Sequence, residues 1–191
     1  MTEIQRRQLS DPEALKALAH PLRQRLLTHL QRYGPATSAT LAAEFDEDRG
    51  ATSYHLRQLS RFGFIEVDVD RSAGRRKFWR AIPLDLRLPS RAVNAEAEAA
   101  ATEIDRQWQE HGERELAAFL ANEDDFGPFG DAALSSIGGT TLTAAELAAF
   151  TEEYVALLTR WRREPDQAPD GARHITVIFH AFPTPRSSEA R

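Results

Sequence analysis

Apolar side chains recur at every third or fourth position in four stretches of the first third of the chain, which is the period of an amphipathic helix. In the second stretch Leu22, Leu26 and Leu30 fall on one face, between a start signal at Pro21 and a stop signal at Gly34. Signals of the same kind predict four helices, at about 12–19, 21–33, 38–45 and 49–62.

The period changes from 3.6 to 2 after Gly63. Residues 64–70 alternate apolar and acidic side chains, as a half-buried strand does, and residues 75–82 return as a second strand after a turn at 71–74. Residues 83–89 begin and end with proline, and we predict that they form a connector without regular structure.

The second half of the chain is predicted to be mostly helical. One Ala- and Glu-rich helix is expected from about 90 to 121, and another opens at the capping box of Thr143 and Glu146. Residues 173–182 alternate again and are predicted as a short C-terminal strand. The fold class is therefore expected to be mainly α with a minor β component.

Charge is divided unevenly along the chain. The net charge is −5, but residues 1–90 carry +4 and residues 91–191 carry −9. Eight of the positive residues lie between 49 and 80, against three acidic ones. A compact basic patch in an acidic chain indicates a site for a polyanion, although a solvated charged surface would show the same counts.

Three helices, a tight turn into a fourth and an Arg-rich hairpin follow the element order of a winged helix-turn-helix with a two-stranded wing. In that fold one helix enters the major groove of DNA, while the wing reaches a phosphate or the minor groove. The side chains expected to bind DNA lie on the fourth helix, on the wing and at the cap of the third helix, which is Thr37 or Ser38; they are Thr37, Ser38, Arg49, Ser53, Tyr54, His55, Arg57, Gln58, Arg61, Arg71, Arg75, Arg76 and Lys77. For His55, as for His20, capping or packing is the competing interpretation.

Three motifs in this region resemble one known family. They are residues 18–23 (LAHPLR), residues 53–59 (SYHLRQL) followed by Gly63-Phe64-Ile65, and the basic hairpin. Together they resemble the arsenical-resistance repressor (ArsR) family of dimeric winged-helix transcriptional regulators. The resemblance covers about residues 10–85 and implies that this segment is the DNA-binding domain.

Residues 90–182 are predicted as a helical dimerisation region, which leaves room for a small-molecule effector. The second half resembles, less specifically, extended relatives in which added helices have that role. The side chains expected at the dimer seam are Ala97, Ala101, Ile104, Trp108, Phe150, Tyr154 and Trp161. A domain of about 75 residues needs its own apolar stripes for its own core, so we expect a second copy to cover this seam. For the aromatic members, a ligand cage is the alternative.

Several chemical classes lack the residues that they require. The chain has no cysteine, which excludes disulfides and thiolate metal sites. Asp105 and His111 are six residues apart, whereas ligands on one helix face are three or four apart, so no metal site is expected. We expect no cofactor. The absence of a Gly-rich phosphate loop and of a nucleophile elbow argues against an enzyme.

No apolar run approaches the roughly 18 residues of a membrane span, and the first residues lack a signal peptide, so a cytoplasmic protein without membrane contact is expected. The predicted function is sequence-specific binding of double-stranded DNA by a homodimer at an inverted repeat, which would regulate transcription as a repressor. The alternative is a winged-helix protein–protein interaction module that does not bind DNA.

Overall fold

The computed structural model describes residues 5–74, 76–89 and 93–184 of the 191-residue chain. It divides into two compact units. The first contains the described residues up to His111 together with Arg162–His174, and the second contains Gly112–Trp161 together with the described residues from Ile175 onward.

The helices of the first unit begin and end close to the predicted positions. They are α1 (Pro12–Ala19), α2 (Pro21–Tyr33), α3 (Ser38–Phe45) and α4 (Arg49–Arg61). Side chains cap their N-termini. Thr37, not Ser38, caps α3, since its hydroxyl accepts a hydrogen bond from the Thr40 N–H at 3.1 Å. Asp48 caps α4 by accepting from the Ala51 N–H at 2.8 Å.

The wing is a hairpin of β3 (Ile65–Ala73) and β4 (Arg76–Ala81), as predicted, but β3 continues through residues 71–73, which were expected to form the turn. A further strand, β2 (Ala36–Thr37), pairs with the outer side of β4 and completes an antiparallel sheet of order β2-β4-β3. Sequence patterns miss β2 because two residues are too few to show a period. Since β2 leads directly into α3, its pairing with β4 joins the start of α3 to the wing.

The interpretation of residues 83–89 as an irregular connector is wrong. Leu84–Arg87 forms strand β5, which pairs in parallel with strand β1 (Gln5–Gln8). The pairing joins residues about 80 positions apart, and β1 is entirely polar in sequence, so no local hydrophobic period announces it.

The expectation that the seam on the long helix lacks cover within the chain is also wrong. The helix is α5 (Ala95–Leu120), and its first turns belong to the same core as α1 and α2. Ala97 and Ile104 are completely buried, and the Trp108 indole N–H donates to the Gln24 side-chain oxygen at 3.2 Å on α2. An apolar stripe identifies a buried face, but it does not specify which element buries it.

The second unit contains the end of α5, a short 3₁₀ turn (Glu123–Phe126), α6 (Pro128–Ala132) and α7 (Ala144–Trp161). The capping box at the start of α7 forms as predicted, with Glu146 accepting from the N–H and the hydroxyl of Thr143. No residue of α7 is buried. Among the described helices of both units, none is long and apolar enough to cross a membrane.

The predicted C-terminal strand over 173–182 is not formed. The described residues from 172 to 184 have no regular structure. Phe179 stacks on Tyr154 of α7, with ring centroids 3.9 Å apart, and the Ile178 side chain approaches Gly112 of α5. These neighbours are helices, whose backbone N–H and C=O groups are already hydrogen-bonded within the helix. They therefore cannot pair with residues 173–182 as a neighbouring strand would.

We expect Ile104→Ala to lower the free energy of unfolding by about 2–5 kcal/mol, because it removes methyl groups from a fully buried site. Urea unfolding measures the change. Thr102→Ala, on the exposed side of the same helix, is the control and should change stability by less than about 0.5 kcal/mol. Equal losses in the two variants would contradict the assignment of α5 to this core.

Candidate nucleic-acid interface

A concave surface of about 660 Å³ lies where the start of α3, the outer face of α4 and the wing strand β4 meet. The described residues that line it are Thr37, Ser38, Ala39, Thr40, Arg49, Ser53, Arg57, Arg76, Lys77 and Trp79. Four of these side chains are cationic, and no carboxylate is among the lining residues described. The surface is therefore suited to an anion.

The α4 side of the surface follows from which residues that helix buries. Thr52, Leu56 and Leu59 are completely buried, so the opposite face points outward. Arg49 and Arg57 lie on that face, and neither forms an ion pair with any described residue. Their charges are consequently available to a ligand.

The α3 side combines hydroxyl groups with a helix N-terminus. Thr37 and Thr40 share a hydrogen bond between their hydroxyl oxygens at 2.9 Å, and the Ser38 side chain lies next to them in the lining. The first N–H groups of a helix carry a partial positive charge and favour an anion such as a phosphate. This end of α3 therefore adds donors and positive potential to the cationic side chains.

The wing contributes Arg76 and Lys77, with Trp79 at the base. The Arg76 guanidinium lies 5.0 Å from the centroid of the Phe78 ring, and Lys77 is exposed without an ion pair among the described residues. Trp79 is only 8% exposed and pairs with Ala36 of β2. It packs the wing against the α3 end of the surface.

The structure brings together seven of the residues predicted to bind DNA: Thr37, Ser38, Arg49, Ser53, Arg57, Arg76 and Lys77. Tyr54, Gln58 and Arg61 lie on α4 outside this lining, and Arg61 rests over the Phe62 ring. Arg71 forms an ion pair with Asp166, and Arg75 lies outside the described residues.

Sequence reasoning missed Thr40 and Trp79. The spacing of Thr37 and Thr40, an N-cap and the third helical position, is a local signal that could have found Thr40. Nothing local marks Trp79, because its place in the surface depends on β2, which is paired across the sheet.

Residues 18–68 match the family model of a helix-turn-helix domain. The match covers α2, α3, α4 and the start of the wing, which are the elements that build most of the concave surface. This part of the chain, called the helix-turn-helix domain below, is similar to that family. No curated protein matches the chain in sequence.

Solved structures similar to this helix-turn-helix domain carry related descriptions. The homodimeric winged helix-turn-helix DNA-binding domain of a possible ArsR-family transcriptional regulator from Mycobacterium bovis is 20% identical, with a TM-score of 0.35 over 52% of this chain and 78% of that one. A possible transcriptional regulator for arsenical resistance is 26% identical, with a TM-score of 0.33 over 58% and 95%. HlyU from Vibrio cholerae is 20% identical, with a TM-score of 0.32 over 50% and 85%. The Mycobacterium bovis protein is described as a possible member of the ArsR family, which is the family that the sequence motifs resemble.

His55 of the helix-turn-helix domain packs inward and does not line the concave surface. Its ring lies 4.4 Å from that of His20, centroid to centroid, and its Nδ1 is buried without a hydrogen-bond partner among the described residues. His20 caps α2, since its Nδ1 accepts from the Leu22 N–H at 3.2 Å. The capping and packing interpretation is thus the one that the geometry supports for both histidines.

This histidine pair resists protonation. Burial lowers the pKa of both rings below the usual 6.5, and the positive charge of Arg23 lowers both further, while Glu47 acts in the opposite direction. His20 also lowers the pKa of His55. The unfolded chain therefore takes up protons before the folded domain does as the pH falls below 6.5.

We expect the free energy of unfolding of the wild type to fall as the pH drops through about 6.5, because protonation favours the unfolded chain. In the double variant His20→Asn, His55→Gln this fall should be smaller. Asn keeps a side-chain acceptor at the cap of α2. His29, whose pKa burial also lowers, keeps part of the effect.

Urea unfolding at about pH 7.5 and 5.5 measures the difference. His180→Gln, at an exposed position of the second unit, is the control for the loss of a histidine. The assignment is wrong if the double variant loses as much stability on acidification as the wild type does.

Proposed function

We propose that the protein is a sequence-specific DNA-binding transcriptional regulator that acts as a homodimer at an inverted-repeat operator and represses by occupying it. The observation that carries this proposal is the concave surface, where α3, α4 and the wing place four cations together without a carboxylate among the described lining residues. Its cationic side chains and hydroxyl groups suit the phosphate backbone of a duplex.

Within this proposal α4 enters the major groove. Arg49, Ser53 and Arg57 are spaced by four residues and so form one line along the helix, as base-edge readout requires. Tyr54, Gln58 and Arg61, which flank that line, are the candidates for contacts further along the groove. Arg is the side chain best suited to a guanine edge, because its fork matches two acceptors.

The α3 end and the wing hold the phosphate backbone. Thr37, Ser38 and the first N–H groups of α3 donate to one phosphate, while Arg76 and Lys77 approach the backbone from the other side of the surface. These contacts supply affinity and register, whereas α4 supplies sequence preference. The wing strand and α3 are joined through β2, so the two sets of contacts move together.

The division of labour follows the predicted domains: residues 10–85 bind DNA, and residues 90–182 dimerise. Ala97 and Ile104 do not belong to the proposed dimer interface, because the chain itself buries them. The apolar face of α7 takes their place, since Phe150 is 43% exposed and Trp161 is 64% exposed. Regulation by a small-molecule effector would then act through the same region.

An electrostatic experiment tests the DNA-binding proposal against the alternative of a protein-interaction module. We expect the full chain to bind random-sequence duplex DNA with an affinity that falls steeply with salt. Arg76→Ala, Lys77→Ala should weaken binding to every duplex about equally and flatten the slope of log affinity against log salt by about one to two per wing. Fluorescence anisotropy over a salt series measures both quantities.

Arg57→Ala provides the comparison within the same experiment. It should weaken the binding free energy by about 1–3 kcal/mol on a site selected from a random library and by little on random DNA, because it removes a contact to a base edge. A uniform loss would reassign Arg57 to a phosphate. Absence of salt-dependent DNA binding in the wild type would favour the interaction module.

We expect Trp161→Glu to shift the protein from dimer to monomer at micromolar concentration, because a charge would be buried in the α7 face. Binding to the selected site should weaken about 10²-fold as the two half-sites lose their linkage. Sedimentation and anisotropy measure the two effects. Ala156→Glu, which places the same charge on the other side of α7, is the control. A wild type that is monomeric under these conditions would contradict the dimer.

A further inference from the structure

One wing arginine is held by a carboxylate from a distant part of the chain. The Arg71 Nη2 lies 2.5 Å from the Asp166 Oδ2, across 95 positions in sequence. Both side chains are a little over two-fifths exposed, so solvent and ligands can reach the pair. Arg71 is thus directed toward Asp166 in this structure, whereas Lys77 of the same hairpin has no ion pair among the described residues.

The backbone on the wing side of this pair is fixed. Asp68 is 5% exposed, and its carboxylate accepts from the Arg71 N–H at 3.2 Å. Ser72 donates to the Asp68 carbonyl at 2.5 Å and accepts from the Phe78 N–H at 3.0 Å. The Asp68 carboxylate also lies 3.6 Å from the Arg71 Nε, so the guanidinium keeps one anionic neighbour on the wing while its Nη2 side meets a second anion.

Asp166 lies in a segment of the first unit that stands, along the sequence, between two parts of the second unit. A 3₁₀ turn (Pro165–Gln167) follows α7, and residues Arg162–His174 cluster with the first unit, whereas the residues before and after them cluster with the second. Pro165 lies in van der Waals range of Gly34, at the end of α2. The turn is therefore seated on the helix-turn-helix domain but is covalently continuous with the second unit at both ends.

We propose that Asp166 is an autoinhibitory residue that competes with a DNA backbone phosphate for the Arg71 guanidinium. This inference rests on the proposed function. Arginine binds a carboxylate or a phosphate through the same N–H groups of its planar fork, so the two anions compete for the Nη2 side of this guanidinium. Displacement of residues 162–174 frees the Nη2 side of Arg71, and because this segment continues into the second unit at both ends, it links that unit to the affinity of the wing for DNA.

The size of the effect follows from the exposure of the pair. Exposed ion pairs contribute little, so breaking this one changes DNA affinity by about two- to fivefold. The salt dependence carries further information. In the wild type, the Nη2 side of Arg71 exchanges one anion for another, whereas an Nη2 side that meets only solvent before binding releases counterions, which steepens the salt slope by up to about 0.9.

The experiment measures binding of the full chain to random-sequence duplex DNA between about 50 and 200 mM salt. Asp166→Asn removes the charge at nearly constant shape and should tighten binding about two- to fivefold with the steeper slope. Asp170→Asn removes the same charge four residues away, at an exposed position with no contact to Arg71, and should leave the slope unchanged. In an Arg71→Ala background, Asp166→Asn should have no more effect than Asp170→Asn.

Two results overturn the inference: equal effects of Asp166→Asn and Asp170→Asn, or a gain from Asp166→Asn that persists in the Arg71→Ala background. Either would leave the proposed function intact if Arg76→Ala, Lys77→Ala still flattens the salt slope. Failure of the wild type to bind duplex DNA would overturn both proposals together. The wing variant therefore distinguishes failure of the inference from failure of the proposed function.

Discussion

The burial of one stripe of α4 is the constraint on which the rest of the structure depends. Leu56 and Leu59 have no exposed surface, and Thr52 can join them because its hydroxyl donates to the Asp48 carbonyl at 2.9 Å. A helix is rigid, so fixing three side chains on one side fixes the direction of all those on the other. Arg49 and Arg57 point outward for this reason, and the concave surface exists only in this rotation of α4.

The charge of the surface depends on where the carboxylates of the first unit lie. Glu66 is paired with Arg80 at 2.7 Å on the wing, and Asp68 is occupied with the backbone of the hairpin. The Asp48 carboxylate caps the N-terminus of α4. Because these carboxylates have partners elsewhere, they do not neutralise the cations at the centre of the surface, although the net charge of the chain is negative. The local arrangement of charges, not the net charge of the chain, decides its affinity for a polyanion.

The long helix α5 serves both units of the chain. Its first turns complete the core of the helix-turn-helix unit through Ala97 and Ile104, and its last turns belong to the second unit with Gly112 and Leu116. The second unit has an exposed apolar face on α7. Exposed apolar area of this kind favours association with a further apolar surface, since water is released from both.

Sequence alone determined the features that arise from neighbouring residues: the starts and stops of the helices, the helical period of their apolar positions, the hairpin, and the candidate positions Thr37, Arg57 and Arg76. It could not determine the β1–β5 pairing, the partner of Arg71 or the failure of residues 173–182 to form a strand. Helix periods and caps are local and are therefore written in consecutive residues. Which element covers an apolar face, completes a strand or neutralises an arginine depends on contacts between distant residues, and only the tertiary structure decided these.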